Sequence, residues 1–81
     1  MERDALFGIL TTNIRAVAPA LAAVDIAEDQ NIFLDLGLDS LQALEMLSAV
    51  ERRVGRKLTT SMLHAKATPA SMARDLRRAE S

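Results

Sequence analysis

Residues 39–41 read Asp-Ser-Leu and place a hydroxyl directly behind a carboxylate, where an amphipathic pattern begins. Two chemistries suit such a placement. Asp39 followed three residues later by Gln42 resembles a capping box, so Asp39 or Ser40 is the expected N-cap of a helix. The same place also suits a phosphate, because free first-turn N–H groups and the helix dipole favour an anion. Gly37, just upstream, lets the backbone turn tightly into the helix. Catalysis by Ser40 is a poor third reading. A nucleophilic serine needs a base and a group that orients it, and the chain has one histidine, His64. A helix residue partly packed on the bundle is the simpler account of His64. At this level Ser40 remains either a cap or a handle that another enzyme modifies.

The residues that follow set the surroundings of that serine. With Leu41 at 0° on a helical wheel, Ala43, Met46, Leu47, Val50 and Val54 fall within an arc of about 100°, which is the expected core face. Glu45, Ser48 and Arg52 gather within about 40° of Leu41 on the opposite side, and Leu44 lies on the flank. Leu41 is therefore an exposed leucine with polar neighbours. Alone, it is unremarkable in a small domain. As one apolar anchor with a polar rim, it has the makings of a docking face built from Leu41, Leu44, Glu45, Ser48 and Arg52. Charge is uneven around it: seven acids and no base between Asp25 and Glu51, then five bases and no acid from Arg52 to Lys66. A mixed solvated surface accounts for this, and so does pairing of the acidic side with a basic partner.

The elements that must position these groups are few. Eighty-one residues make one small domain, residues 1–81. The starting Met1 and compact ends suggest a free-standing protein, and a domain excised from a larger synthase could begin the same way. Hydrophobic residues are 49% and aromatics 2%, a balance that favours packed helices over a sheet. Ten bases against eleven acids give no electrostatic case for nucleic acid. There is no cysteine, which excludes disulfides and thiolate metal sites, and a lone histidine argues against a histidine-based one. The longest uncharged apolar stretch, Ala16 to Val24, is far shorter than the roughly 20 residues that span a bilayer. The N-terminal segment lacks the continuous apolar core of a signal peptide. No membrane association and a cytoplasmic location are expected.

Residues 4–17 have helical spacing, with Leu6, Phe7, Leu10, Ile14 and Val17 on one face and Thr11, Thr12 and Arg15 on the other. Pro19 makes continuation past Ala18 unfavourable. Residues 19–38 form a long connection with too many apolar groups for a free linker, and Phe33 is its expected anchor. The second helix spans about Ser40 to Val54, with Gly55 as a left-handed cap and Arg52 and Arg53 at the negative end of the dipole. A short turn around Ser61 to His64 follows. Thr68 as N-cap and Pro69 at the first helical position open the last helix, which carries Met72, Leu76 and Ala79 on one face. Met46 and Met72 are core residues on this reading.

The segment DLGLDSLQALEML resembles the prosthetic-group attachment segment of acyl carrier proteins from fatty-acid and polyketide synthesis. The likeness runs from residue 26 to 78 and takes in Phe33, Leu36, Val54-Gly55, Leu58 and the TPASMARDL ending. It implies an all-α fold: a four-helix bundle of three main helices and one short third helix, with a long first loop. It implies that Ser40 is the attachment site of 4′-phosphopantetheine, taken from coenzyme A, with Asp39 and Leu41 as motif neighbours. The likeness further implies that the hydroxyl of Ser40 attacks the β-phosphate of coenzyme A on a phosphopantetheinyl transferase, and that acyl intermediates then ride as thioesters on the arm. The implied protein is a non-catalytic monomer whose partners are that transferase and a ketosynthase, acyltransferase or other synthase enzymes. Carriers of amino acids more often have histidine where Asp39 stands; such a carrier, or a non-carrier helical interaction module, is the alternative. Two features differ from the family's habit. Arg52 and Arg53 stand where fatty-acid carriers often continue with acids, and His64 stands where polyketide carriers commonly place an aromatic residue.

Overall fold

The computed structural model describes residues 3–80, with the side chains of residues 4–78. Three α-helices and two single 3-10 turns make up its regular structure, and no strand occurs among the described residues. α1 spans Arg3–Val17, α2 Ser40–Val54 and α3 Pro69–Glu80; the 3-10 turns are Pro19–Leu21 and Thr60–Leu63. The expected third helix is thus one 3-10 turn of four residues. Its only buried residue is Met62, too little apolar surface to hold a longer helix on the bundle. None of the helices is long and apolar enough to cross a membrane.

α1 packs on both α2 and α3 and is the spine of the bundle. Leu6, Leu10 and Ile14, spaced four apart, are fully buried, while Phe7 and Val17 are half-buried. Thr11 departs from expectation. It is buried, because a helix with neighbours on two sides buries an arc wider than a single apolar stripe. Its hydroxyl is satisfied locally, donating to the Gly8 carbonyl at 3.2 Å. Thr12 is exposed, as expected.

The buried face of α2 consists of Ala43, Met46, Leu47 and Val50, with Val54 half-buried at its end. Gly55 closes the helix at φ 73°, a left-handed conformation that glycine adopts without a Cβ penalty. α3 opens on a reciprocal pair: the Ser71 N–H donates to Thr68 Oγ1 at 3.0 Å, and the Thr68 N–H donates to Ser71 Oγ at 2.9 Å. Two first-turn donors are satisfied in this way, and Pro69 occupies a position that needs no donor. Met72 and Leu76 are fully buried, and the expected Ala79 contact lies outside the described side chains.

The long connection is anchored by Ile32, fully buried, and not by Phe33, which is half-buried. Ile26, Leu36 and Leu38 join it in the core. Asn31 decides which of three consecutive apolar residues turns inward. Its Oδ1 accepts the N–H groups of Phe33 and Leu34 at 2.8 and 2.9 Å, and its own N–H donates to Asp35 Oδ2 at 2.7 Å. Its Nδ2 donates to the Ala65 carbonyl at 2.7 Å, and beside it the Ile32 N–H reaches the Ala67 carbonyl at 3.0 Å. This turn sends Ile32 into the core and leaves Leu34 84% exposed. Truncating Ile32 to Ala should therefore cost about 2–5 kcal/mol, the range for large-to-small changes in a core. Phe33→Ala should cost less. Urea unfolding of the two variants measures the difference, and equal losses would restore Phe33 as the anchor.

Candidate functional site

Ser40 is the first residue of α2 and is exposed. Of the two candidate caps, Asp39 takes the role. Its backbone is extended (φ −91°, ψ 175°), and its Oδ1 accepts the Gln42 N–H at 2.7 Å. Gln42 Oε1 answers by accepting the Asp39 N–H at 3.0 Å, which completes the capping box. Capping is thereby accomplished without the Ser40 hydroxyl. Among the described residues, no hydrogen bond holds that hydroxyl, so it projects freely.

Gln42 has a second task. Its Nε2 donates to the Val17 carbonyl at 3.1 Å, tying the first turn of α2 to the end of α1. Upstream, Gly37 sits at φ 77° with nothing within 4 Å of a Cβ built on it. The side chain is thus not excluded by crowding; the backbone conformation is what calls for glycine there. The Leu38 N–H donates back to the Ile32 carbonyl at 3.0 Å, so the segment leading into Ser40 is closed on itself. Arg15 secures the far end of the connection by donating to the carbonyls of Leu21 and Val24 at 3.4 and 3.0 Å.

The other site residues fall on one surface of α2. Leu41 is 65% exposed and Leu44 44%, and Glu45, Ser48 and Arg52 are exposed along the same helix. Shallow grooves lie between this surface and α1, one lined by Val17, Leu44, Glu45, Ser48 and Arg52. His64 takes no part. It is exposed, caps the second 3-10 turn, and its Nδ1 accepts the Lys66 N–H at 3.2 Å. The arrangement a serine nucleophile would need is absent among the described residues. So is any cluster of three metal-ligating side chains. Three features went unread in the sequence: the Asn31 turn, the Gln42 link to Val17 and the exposed Leu34. Asn31 with Asp35 four residues on did carry a signal, since asparagine side chains that bond their own backbone are a turn chemistry.

The site can take a phosphodiester without loss of any buried contact. The oxygen that would bear it is exposed, and the N–H groups of Ser40 and Leu41 have no acceptor within their own helix. The carboxylate of Asp39 is engaged with the Gln42 N–H.

Fold and site together define a small helical bundle that presents one serine at the head of its second helix. Residues 10–76 match the family described as phosphopantetheine attachment site, and the chain belongs to that family. Among solved structures, it is similar to a chain of the curacin biosynthetic pathway HMG synthase in complex with acetyl donor-ACP. The TM-score is 0.81 at 22% identity, over 98% of this chain and 99% of the other, so the likeness is one of whole fold. No curated protein matches the sequence.

Removing the Gln42 side chain loses its bond from the Asp39 N–H and its bond to Val17 together, while the backbone N–H of residue 42 still reaches the Asp39 carboxylate. Gln42→Ala should cost about 1–2 kcal/mol in chemical denaturation, the combined scale of two side-chain hydrogen bonds, one of them partly buried. A loss within about 0.5 kcal/mol of zero, the size of an ordinary surface change, would mean that neither bond holds α2 in place.

Proposed function

We propose that the protein is a carrier of acyl groups, a single domain over residues 1–81, with 4′-phosphopantetheine attached to Ser40. The observation that carries this reading is the position of Ser40 within the matched family region. Four serines lie between residues 10 and 76. Ser71 is buried in a cap, the Ser61 hydroxyl lies 2.6 Å from that of Thr59, and Ser48 is in mid-helix. Ser40 alone is exposed at a helix N-terminus with its hydroxyl uncommitted.

On this reading Ser40 Oγ attacks the β-phosphate of coenzyme A on a phosphopantetheinyl transferase. The new bond joins Oγ to phosphorus, 3′,5′-ADP leaves, and the hydroxyl proton passes to the transferase. The bound group supplies a thiol on which a carboxylic acid is held as a thioester. This chain's own part is to place and present. Asp39 and Gln42 fix the first turn, the Ser40 and Leu41 N–H groups would be free to receive a phosphate, and buried Leu36 and Leu38 pin the approach to the core. The exposed row of Leu41, Leu44, Glu45, Ser48 and Arg52 then meets partner enzymes. A small anchor with a charged rim suits encounters that must be brief. The likeness to a chain of an HMG synthase–ACP complex supports synthase enzymes as those partners, in polyketide-type assembly. The carrier itself performs no chemistry and works as a cytoplasmic monomer.

Intact mass after incubation with coenzyme A and a broad-specificity phosphopantetheinyl transferase tests the reading. One phosphopantetheine should be added, and Ser40→Ala should take up none. Uptake by Ser40→Ala at the wild-type rate would refute the assignment. Leu41→Asp should keep the helical circular-dichroism spectrum but slow loading by about tenfold or more, the effect of losing one apolar anchor at a small interface. Loading of that variant at full speed would remove Leu41 from the transferase's contact.

A further inference from the structure

Ser40, Leu44, Ser48 and Arg52 are spaced four apart along α2 and form one row on its surface. Three of them, Leu44, Ser48 and Arg52, line the groove of about 450 Å³ between α2 and α1. The row therefore starts at a free hydroxyl, passes an exposed leucine and a second hydroxyl, and ends at a guanidinium. Arg52 is exposed, and among the described residues it has no ion-pair partner. It also borders the neighbouring grooves on either side, one shared with Arg53 and one with Arg56 and Lys57. The end of the row is the most cationic part of this face.

Length decides what the row can hold. Twelve residues of α-helix rise about 18 Å from Ser40 to Arg52, and the row turns about 120° around the axis over that rise, so the path along the surface is roughly 21 Å. A phosphopantetheine arm has thirteen bonds from phosphorus to sulfur and sixteen from the Ser40 Cα, and these sixteen advance roughly 18 Å when extended. An acyl group of the malonyl kind adds three bonds to its far carboxyl carbon, roughly 3–4 Å more. Its carboxylate then falls level with Arg52. An acetyl group ends short of it and offers no charge. Glu45 lines the same groove nearer to Ser40 and repels a carboxylate that stops early.

We infer that this groove is a resting place for cargo that ends in a carboxylate, with Arg52 as the group that holds it. The inference rests on Ser40 as the attachment point. A guanidinium matches a carboxylate in shape and charge, and tethering keeps the two at an effective concentration in the millimolar range. The contact is exposed and so is weak and salt-sensitive, which suits a rest position that must be left. Arg52 also lies on the proposed docking face, so an arriving partner competes for it and frees the arm.

The test is an amide NMR comparison of the protein loaded on Ser40 from acetyl-coenzyme A and from malonyl-coenzyme A, with intact mass confirming each loading. Malonyl loading should shift the resonances of Ser48, Ala49 and Arg52 beyond the acetyl form. The excess should shrink about threefold or more in Arg52→Gln, the scale of one exposed ion pair, and largely vanish in about 1 M salt. Arg53→Gln, which removes the same charge from a neighbouring position, should leave it intact. Equal shifts for the two acyl groups, or an excess that survives Arg52→Gln, would overturn the inference and leave the attachment reading standing. Failure of both acyl groups to load on a folded protein would overturn the two together.

Discussion

The side chain of Gln42 is the joint on which the site depends. One amide closes the cap of α2 through Asp39 and, at its other end, bonds the last carbonyl of α1. The N-terminus of a helix is where fraying begins, and a handle on a fraying end would sample many directions. Here the cap satisfies local donors, while the bond to Val17, 25 residues away in sequence, sets the direction of the whole end. Neither bond involves Ser40. The exposed serine is thereby spared any structural duty, and the residues with structural duty are on either side of it.

The same division runs through the approach to the serine. Ile32, Leu36 and Leu38 face the core, while Leu34, Gly37 and Asp39 face out. An irregular segment has no hydrogen-bond ladder to enforce such alternation. Asn31 supplies it by turning the backbone of residues 31–35 onto its own side chain. The result is a loop as specified as a helix, built from polar bonds at one residue and burial at three others.

What could be read from the sequence follows from how far each interaction reaches. α2 was legible to the residue, as were Asp39 with Gln42, Gly55, and Thr68 with Pro69, because period and caps are set by neighbours within four positions. The exposed row from Leu41 to Arg52 followed from the same wheel. Ile32-Phe33-Leu34 offered no period, and bulk pointed to Phe33, while the turn at Asn31 chose Ile32. Thr11 was misplaced because one helix's pattern does not reveal that it has neighbours on two sides. The bond from Gln42 to Val17 depends on how two helices meet, which no local pattern contains.

The bonds that fasten the long connection also impose an order of assembly. Asn31 to Ala65, Ile32 to Ala67 and Glu28 to Ala70 each join residues more than thirty apart, all of them partners near the start of α3. The capping box spans three. Closing a short ring costs little chain entropy and closing a long one costs more, so the capping box can form with little chain in place while the connection needs the far partners. On the ribosome the interval is longer still, since residues 65–70 emerge after the serine has done so. Until then the segment before Ser40 has nothing to fasten to, and the finished face exists only once the last third of the chain is made.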